Sequence, residues 1–112
     1  MTIYEQLLKY FEGAEDRLHT AGDIKSELEQ RHGTNPASVI PSDYCYNRWN
    51  HGVTTQKPIL IRVGLGEYRF IGPDQPYSGF IYGRPRGETE DHVVGEWKKG
   101  YRKLYSPFSD TK

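Results

Sequence analysis

Disulfides and membrane spans are the first features that this sequence lacks. It has a single cysteine, Cys45, so no internal disulfide can form and an oxidising compartment is not indicated. No apolar run approaches the roughly 20 residues that a membrane-spanning helix needs, and the chain opens on an amphipathic pattern without a signal peptide. We therefore expect a cytoplasmic protein with no membrane partner, in which Cys45 is a small buried hydrophobe.

Net charge is lacking too, because 15 Lys and Arg side chains balance 15 Asp and Glu side chains. Residues 1–33 carry four basic and seven acidic side chains, whereas residues 84–112 carry seven and five. A nucleic-acid-binding protein usually presents a basic surface. Nucleic-acid binding is therefore expected only if the fold gathers the basic groups on one face, and it should then depend strongly on salt.

Motifs for catalysis and for cofactor binding are absent from the sequence. The four histidines are scattered, and none has the spacing from cysteine or carboxylate that metal sites need. Cys45 has no identifiable activating partner. The Gly64-Leu65-Gly66 sequence stands between two predicted strands and opens no helix, so it is not a dinucleotide-binding loop. The sequence predicts no enzymatic activity, no metal and no cofactor.

What the sequence does have begins with two capped amphipathic helices. Thr2 and Glu5 form a capping box at the start of the first helix, which covers residues 2–12. A second cap at Thr20 starts the next helix, and Gly33 ends it. The apolar stripes of both helices predict a core on one side of the pair.

The pattern of residues 42–51 predicts a third helix, which is polar and follows a proline at position 41. Its side chains suit nucleic acid, since asparagine can bond adenine and arginine can bond guanine in the major groove. A hydroxyl near a helix start can also hold phosphate. The predicted contacts are Ser42, Tyr44, Asn47, Arg48 and His51. The alternative is an ordinary polar helix face on which Ser42 is only a cap.

A β-hairpin follows the polar segment, with strands at residues 58–63 and 67–71 joined by a glycine-rich turn. Alternation along the strands leads us to expect Arg62 and Arg69 on the same outward side. Together with Lys57, they would hold phosphates, which fixes the register but reads no sequence. The alternative is that they are solvated strand charges.

After the hairpin the pattern weakens. Residues 77–82 predict one more strand, and residues 92–105 have a near-helical spacing that Gly95 and Gly100 weaken. Basic side chains in this part are expected to extend a DNA footprint or to form a homodimer contact. They are Arg84, Arg86, Lys98, Lys99, Arg102 and Lys103.

The order of these elements is helix, helix, polar helix and hairpin, which is the order of a winged helix. We predict an α+β fold in which three helices and a β-hairpin wing occupy residues 1–72. Residues 73–112 are predicted to be a C-terminal extension packed on or beside that domain.

Residues 3–71 resemble the HARE-HTH type of winged helix. That family closes with a run similar to FVRVGXGXY, and residues 60–68 of this chain read LIRVGLGEY. The first helix and the start of the second also correspond in position. The resemblance implies a winged-helix fold and DNA binding, as proposed for such domains in chromatin-associated, polymerase-associated and restriction-type proteins. Residues 40–50 depart from the usual family helix in being more polar and aromatic.

The leading hypothesis is a small bacterial or phage protein that binds double-stranded DNA in transcriptional regulation or in a defence or mobile-element system. Two alternatives stay open. The zero net charge and the acidic first half favour a protein-interaction module, such as a phage-type inhibitor of a nucleic-acid-binding protein. A set of aromatic side chains suggests a pocket that stacks on a modified base. They are Tyr44, Tyr46, Trp49, Tyr77, Phe80 and Tyr82.

Overall fold

The two helices begin at the threonines that the sequence marks as caps. The computed structural model describes residues 1–14, 17–50, 57–85 and 87–105. In α1 (Ile3–Phe11) the capping box is complete. The Glu5 amide donates to the Thr2 hydroxyl, and the Thr2 amide donates to the Glu5 carboxylate at 2.8 Å. Helix α2 (Ala21–His32) starts behind the Thr20 cap and ends at a left-handed Gly33.

Seven strands form two sheets in the described part of the chain. In chain order they are β1 (Leu18–Thr20), β2 (Arg48–Trp49), β3 (Leu60–Gly64), β4 (Glu67–Phe70), β5 (Gly79–Gly83), β6 (His92–Lys98) and β7 (Tyr101–Leu104). The first sheet is antiparallel with the order β1-β4-β3. The second has the order β2-β5-β6-β7, in which only β2 runs parallel to its neighbour. The fold is α+β, with more sheet than the sequence predicted.

The third α-helix of the predicted winged helix does not form, and the winged-helix prediction is therefore wrong. Residues 36–50 contain two short 3-10 turns, Pro36–Ser38 and Pro41–Tyr44, and then extended chain that ends in β2. Beyond the second turn, the backbone bonds to the start of β3 instead of to itself. The Tyr46 amide donates to the Leu60 carbonyl, and the Ile59 amide donates to the Tyr44 carbonyl, both at 2.8 Å. These long-range bonds take the groups that a helix over residues 42–51 would need.

The C-terminal part is also sheet. The strand predicted at residues 77–82 corresponds to β5, and the segment with near-helical spacing forms the β6–β7 hairpin. Lys99 and Gly100 make its turn with φ angles of 49° and 86°. A left-handed pair of this kind closes a tight two-residue hairpin, which breaks any helix there.

The main core lies between the two helices and the first sheet. Phe11 of α1 stacks on Phe70 of β4 with ring centroids 4.9 Å apart. The buried side chains of this core are Leu7, Phe11, Ile24, Leu28, Val39, Tyr44, Cys45, Ile59, Leu60, Tyr68 and Phe70. No helix in the described part of the chain is long and apolar enough to cross a membrane.

Contacts cross the predicted domain boundary at residue 72. Strand β2 comes from before that boundary and pairs with β5 beyond it. The Tyr46 hydroxyl donates to the Gly72 carbonyl at 2.7 Å, and the Trp97 indole donates to the Tyr46 carbonyl at 2.7 Å. The second sheet is thereby fixed against the first half of the chain, and this places β2 beside the hairpin.

Candidate nucleic-acid interface

Three arginines from three strands or strand ends converge on one carboxylate, that of Asp91. Arg48 of β2 makes two hydrogen bonds to it, at 2.8 and 3.4 Å. The Arg84 Nε lies 3.3 Å from one carboxylate oxygen, and an Arg62 amino nitrogen lies 4.0 Å from the other. The cluster therefore carries three positive charges for one negative charge.

Arg48 is the buried member of this cluster. Its side chain is 13% exposed, whereas that of Arg84 is 57% exposed. The Arg48 Nε is buried and has no hydrogen-bond partner among the described residues. The hydrogen bonds from Arg48, together with the charges of Arg48, Arg84 and Arg62, hold the pKa of Asp91 below its ordinary value against the opposing effect of burial. Asp91 is thus ionised at neutral pH and is the charge partner of Arg48.

A groove of about 280 Å³ opens beside the cluster. We call it the arginine groove; it is lined by Asn47, Arg48, Arg62, Val63, Gly64, Leu65 and Tyr82. The Arg62 Nε donates to the Gly64 carbonyl at 3.2 Å, which folds its side chain back along the hairpin. One Arg62 amino nitrogen lies 4.0 Å from Asp91, and Tyr82 also lines the groove. The groove thus combines guanidinium donors with one aromatic ring.

Asn47 is structural in this arrangement. Its amide donates to the Arg62 carbonyl at 2.8 Å and accepts from the Arg62 amide at 2.9 Å. Both ends of the side chain are therefore engaged with the β3 backbone, where they imitate one step of strand pairing. The predicted contact of Asn47 with adenine is not available in this conformation.

Other predicted contact residues also have structural partners. Ser42 accepts a hydrogen bond from the Asn50 amide at 3.0 Å. Tyr44 is buried in the main core and stacks near Tyr4. Lys57 pairs with Asp74 at 3.0 Å. His51, like Arg86 of the predicted footprint, lies outside the described residues.

Arg62 and Arg69 lie on opposite faces of the first sheet, so the expectation that they point the same way is wrong. Arg62 is directly opposite Tyr68, and Arg69 is directly opposite Ile61. Paired residues share a face and adjacent residues alternate. Arg62 therefore lies on the side of the buried Tyr68, at the end of the core, while Arg69 faces solvent on the other side.

The predicted aromatic set is divided rather than gathered into one pocket. Tyr46 is buried and contacts the rings of Tyr77 and Trp97. Phe80 and Tyr82 flank the buried Ile81 on β5, so they project from the opposite face of that strand and are exposed. Sequence reasoning missed the importance of Asp91, and only the alternation of Phe80, Tyr82 and Arg84 could have indicated a shared face.

These features define a two-sheet α+β domain with an arginine-rich groove between the sheets. The chain belongs to the family described as a domain of unknown function, DUF7225, whose model matches residues 2–104. It is 36% identical over 104 residues to the uncharacterized protein YnaC of Bacillus subtilis (strain 168). That match covers 93% of this chain and 40% of YnaC, so the chain spans less than half the length of this relative.

No solved structure matches the chain significantly. The arginine cluster lies entirely within the residues that the family model covers. The family match does not test the sequence resemblance of residues 3–71 to HARE-HTH domains, but the winged-helix fold that this resemblance implied is not observed.

Proposed function

We propose that this domain binds DNA through the phosphate groups of its backbone, which enter the arginine groove. The supporting observation is that, among the described residues, Arg48, Arg62 and Arg84 converge on a single carboxylate, that of Asp91. The planar guanidinium fork matches the oxygens of a phosphate, and arginine is the side chain best suited to that contact. A cytoplasmic location, as predicted from the sequence, is part of this proposal.

The three arginines have different roles in this proposal. Arg48 holds Asp91 and is largely buried, so it shapes the groove. Arg62 is 4.0 Å from the carboxylate and Arg84 is mostly exposed, so both keep donors that can turn to a phosphate. The proposed DNA contact thus lies at the junction of the two sheets, whereas the sequence had predicted it in a helix over residues 42–51.

The test is fluorescence anisotropy with labelled DNA at about 50 and about 200 mM salt. Removal of two phosphate contacts in the double variant Arg62→Ala/Arg84→Ala should weaken binding at least tenfold at the lower salt. It should also reduce the slope of log affinity against log salt by about two.

The matched control is Arg17→Ala/Arg69→Ala. It removes the same charge from two exposed positions that form no ion pair within the described residues. The control should bind nearly as well as the unaltered chain. Equal losses in both variants would contradict the assignment to the groove. Absence of binding at the lower salt would overturn DNA binding and favour the protein-interaction hypothesis.

A further inference from the structure

The second sheet has an open face beside the arginine groove. Alternation along the strands and the observed register place a set of side chains together on it. We call this set the outer face; it consists of Phe80, Tyr82, Arg84, Asp91, Val93, Glu96, Lys98, Tyr101 and Lys103. The other face carries the buried Ile81 and Val94 and the Trp97 indole that bonds to Tyr46. Among the described residues, this sheet is thus packed on one side only.

Large rings on the outer face are exposed. Phe80 is 53% exposed and Tyr82 is 41% exposed, although both stand on β5, an interior strand of the sheet. Interior strand positions with aromatic side chains are ordinarily covered by another layer. In the described residues no second layer covers these two rings, so both can contact a flat partner.

The two rings continue directly from the arginine groove. Tyr82 is a wall of that groove and is in register with Arg48 of β2. Phe80 follows two residues earlier on the same strand, about 7 Å away along the sheet. That separation is comparable with the rise between successive nucleotides of an extended single strand. Arg84 continues the same row in the other direction, so the row carries two rings and then a guanidinium.

Resting on the proposed function, we infer that the DNA it binds is single-stranded, with two unpaired bases stacked on Tyr82 and Phe80. The phosphates lie against Arg62 and Arg84. Side-chain rings stack on base faces only where the bases are unpaired, because a duplex keeps those faces inside its own stack. Proteins that bind single-stranded nucleic acid commonly combine exposed aromatic rings with positively charged side chains on one surface.

Charge on the outer face suits this occupant. Lys98 and Lys103 stand on the far strands of the face, next to Glu96. Glu96 is partly neutralised by Lys98 at 3.9 Å, and Asp91 is outnumbered by the arginines around it. A phosphate backbone that crosses the sheet from the groove therefore meets more cations than carboxylates.

The experiment compares three labelled probes at about 50 mM salt: an oligothymidylate of about 20 nucleotides, the duplex it forms with its complement, and the corresponding oligouridylate. The unaltered chain should bind the single-stranded DNA at least tenfold more tightly than the duplex. Phe80→Leu/Tyr82→Leu should weaken single-strand binding at least tenfold. Tyr82→Phe, which keeps the ring, should retain binding. Circular dichroism confirms that each variant is folded.

Leu18→Ala/Ile40→Ala is the control, because it removes two exposed apolar side chains that belong neither to the outer face nor to the arginine groove. Equal loss in this control would overturn the assignment to Phe80 and Tyr82. Tighter binding of the duplex would overturn the single-strand inference but leave the proposed function standing. Tighter binding of the oligouridylate would overturn the assignment to DNA. Failure to bind any probe would overturn the proposed function itself.

Discussion

Asp91 determines both the geometry and the charge of the arginine groove. It accepts two hydrogen bonds from the largely buried Arg48 and lies within 4.0 Å of Arg62 and Arg84. An arginine in such a position keeps its charge, so removal of its partner leaves a buried cation without compensation. The carboxylate therefore keeps three like charges together at one place.

Asp91→Asn should lower the free energy of unfolding by about 2 kcal/mol, because Arg48 loses its charge partner. Urea unfolding measures this change. Asp74→Asn is the control, since its partner Lys57 is exposed and such surface pairs contribute about 0–1 kcal/mol. A loss from Asp91→Asn no greater than that from the control would contradict the structural role of the cluster.

Lowering the pH should reveal how much the ionised Asp91 carboxylate stabilises the fold. The folded state lowers the pKa of Asp91 below its ordinary value of 3.8, so the unfolded chain binds this proton more readily. The stabilisation is therefore complete above that ordinary value and is lost as the pH falls through the lowered pKa. As the pH falls below about 4, the stability of the unaltered chain should fall more steeply than that of Asp91→Asn. Parallel curves for the two proteins would count against the ion pair.

Cys45 is buried in the main core, and burial raises the pKa of its thiol far above the ordinary value. Only the thiolate reacts readily with alkylating reagents. Iodoacetamide should therefore label the folded protein very slowly at neutral pH and label it quickly in denaturant, as mass spectrometry would show. Rapid labelling of the folded chain would mean that residues 44–46 do not pair stably with the start of β3.

At the scale of elements, the two-residue strand β2 carries Arg48 into the groove. Its position depends on close contact between Trp49 and Gly83 of β5. A Cβ at Gly83 would lie 2.7 Å from the Trp49 ring and 2.9 Å from the Trp49 carbonyl oxygen. Both contacts are shorter than van der Waals separation allows, so any side chain at position 83 pushes β2 away.

Gly83→Ala should therefore destabilise the fold by about 1–3 kcal/mol and should weaken DNA binding, because Arg48 moves with β2. Gly22→Ala is the matched control, since a Cβ at this helical position meets nothing within 4 Å. The control should be as stable as the unaltered chain or more stable by up to about 1 kcal/mol. Thermal unfolding and DNA anisotropy on both variants give the comparison, and an undisturbed Gly83→Ala protein would show that β2 is free to shift.

Elements whose causes are local were predictable from the sequence. The caps at Thr2 and Thr20 and the β3–β4 hairpin depend on residues a few positions apart, and the structure has all three. Residues 42–51 were not predictable in this way, because their backbone bonds to Ile59 and Leu60 rather than to near neighbours. Polar spacing alone suggested a helix, and a tertiary pairing prevented it.

The candidate site was predictable only in part for the same reason. Arg48 and Arg62 were predicted as contacts, and the structure brings them together. Asp91, which joins them, lies 43 residues from Arg48, and no local pattern relates the two. The placement of Arg69 depended on strand register, which shifts between Arg62 and Gly64 and cannot be read from alternation alone.

At the scale of the whole molecule, Tyr46 connects the two sheets. Its hydroxyl donates to the Gly72 carbonyl at 2.7 Å and accepts from the Gln75 amide at 3.1 Å. Its carbonyl accepts from the Trp97 indole, and its amide donates to the Leu60 carbonyl of β3. One residue thus contacts the first sheet, the connecting turn and the second sheet, so we expect the two sheets to unfold together.

This expectation can be measured because the two halves have separate probes. The helical circular dichroism signal comes from α1 and α2, while Trp49 and Trp97 both belong to the second sheet. The urea transitions by the two signals should coincide. Tyr46→Phe, which removes the hydroxyl bonds to Gly72 and Gln75, should lower the stability by about 1–2 kcal/mol and move both transitions by the same amount. Two separate transitions, or a shift in the fluorescence signal alone, would instead show that the helices and the first sheet unfold independently of the second sheet.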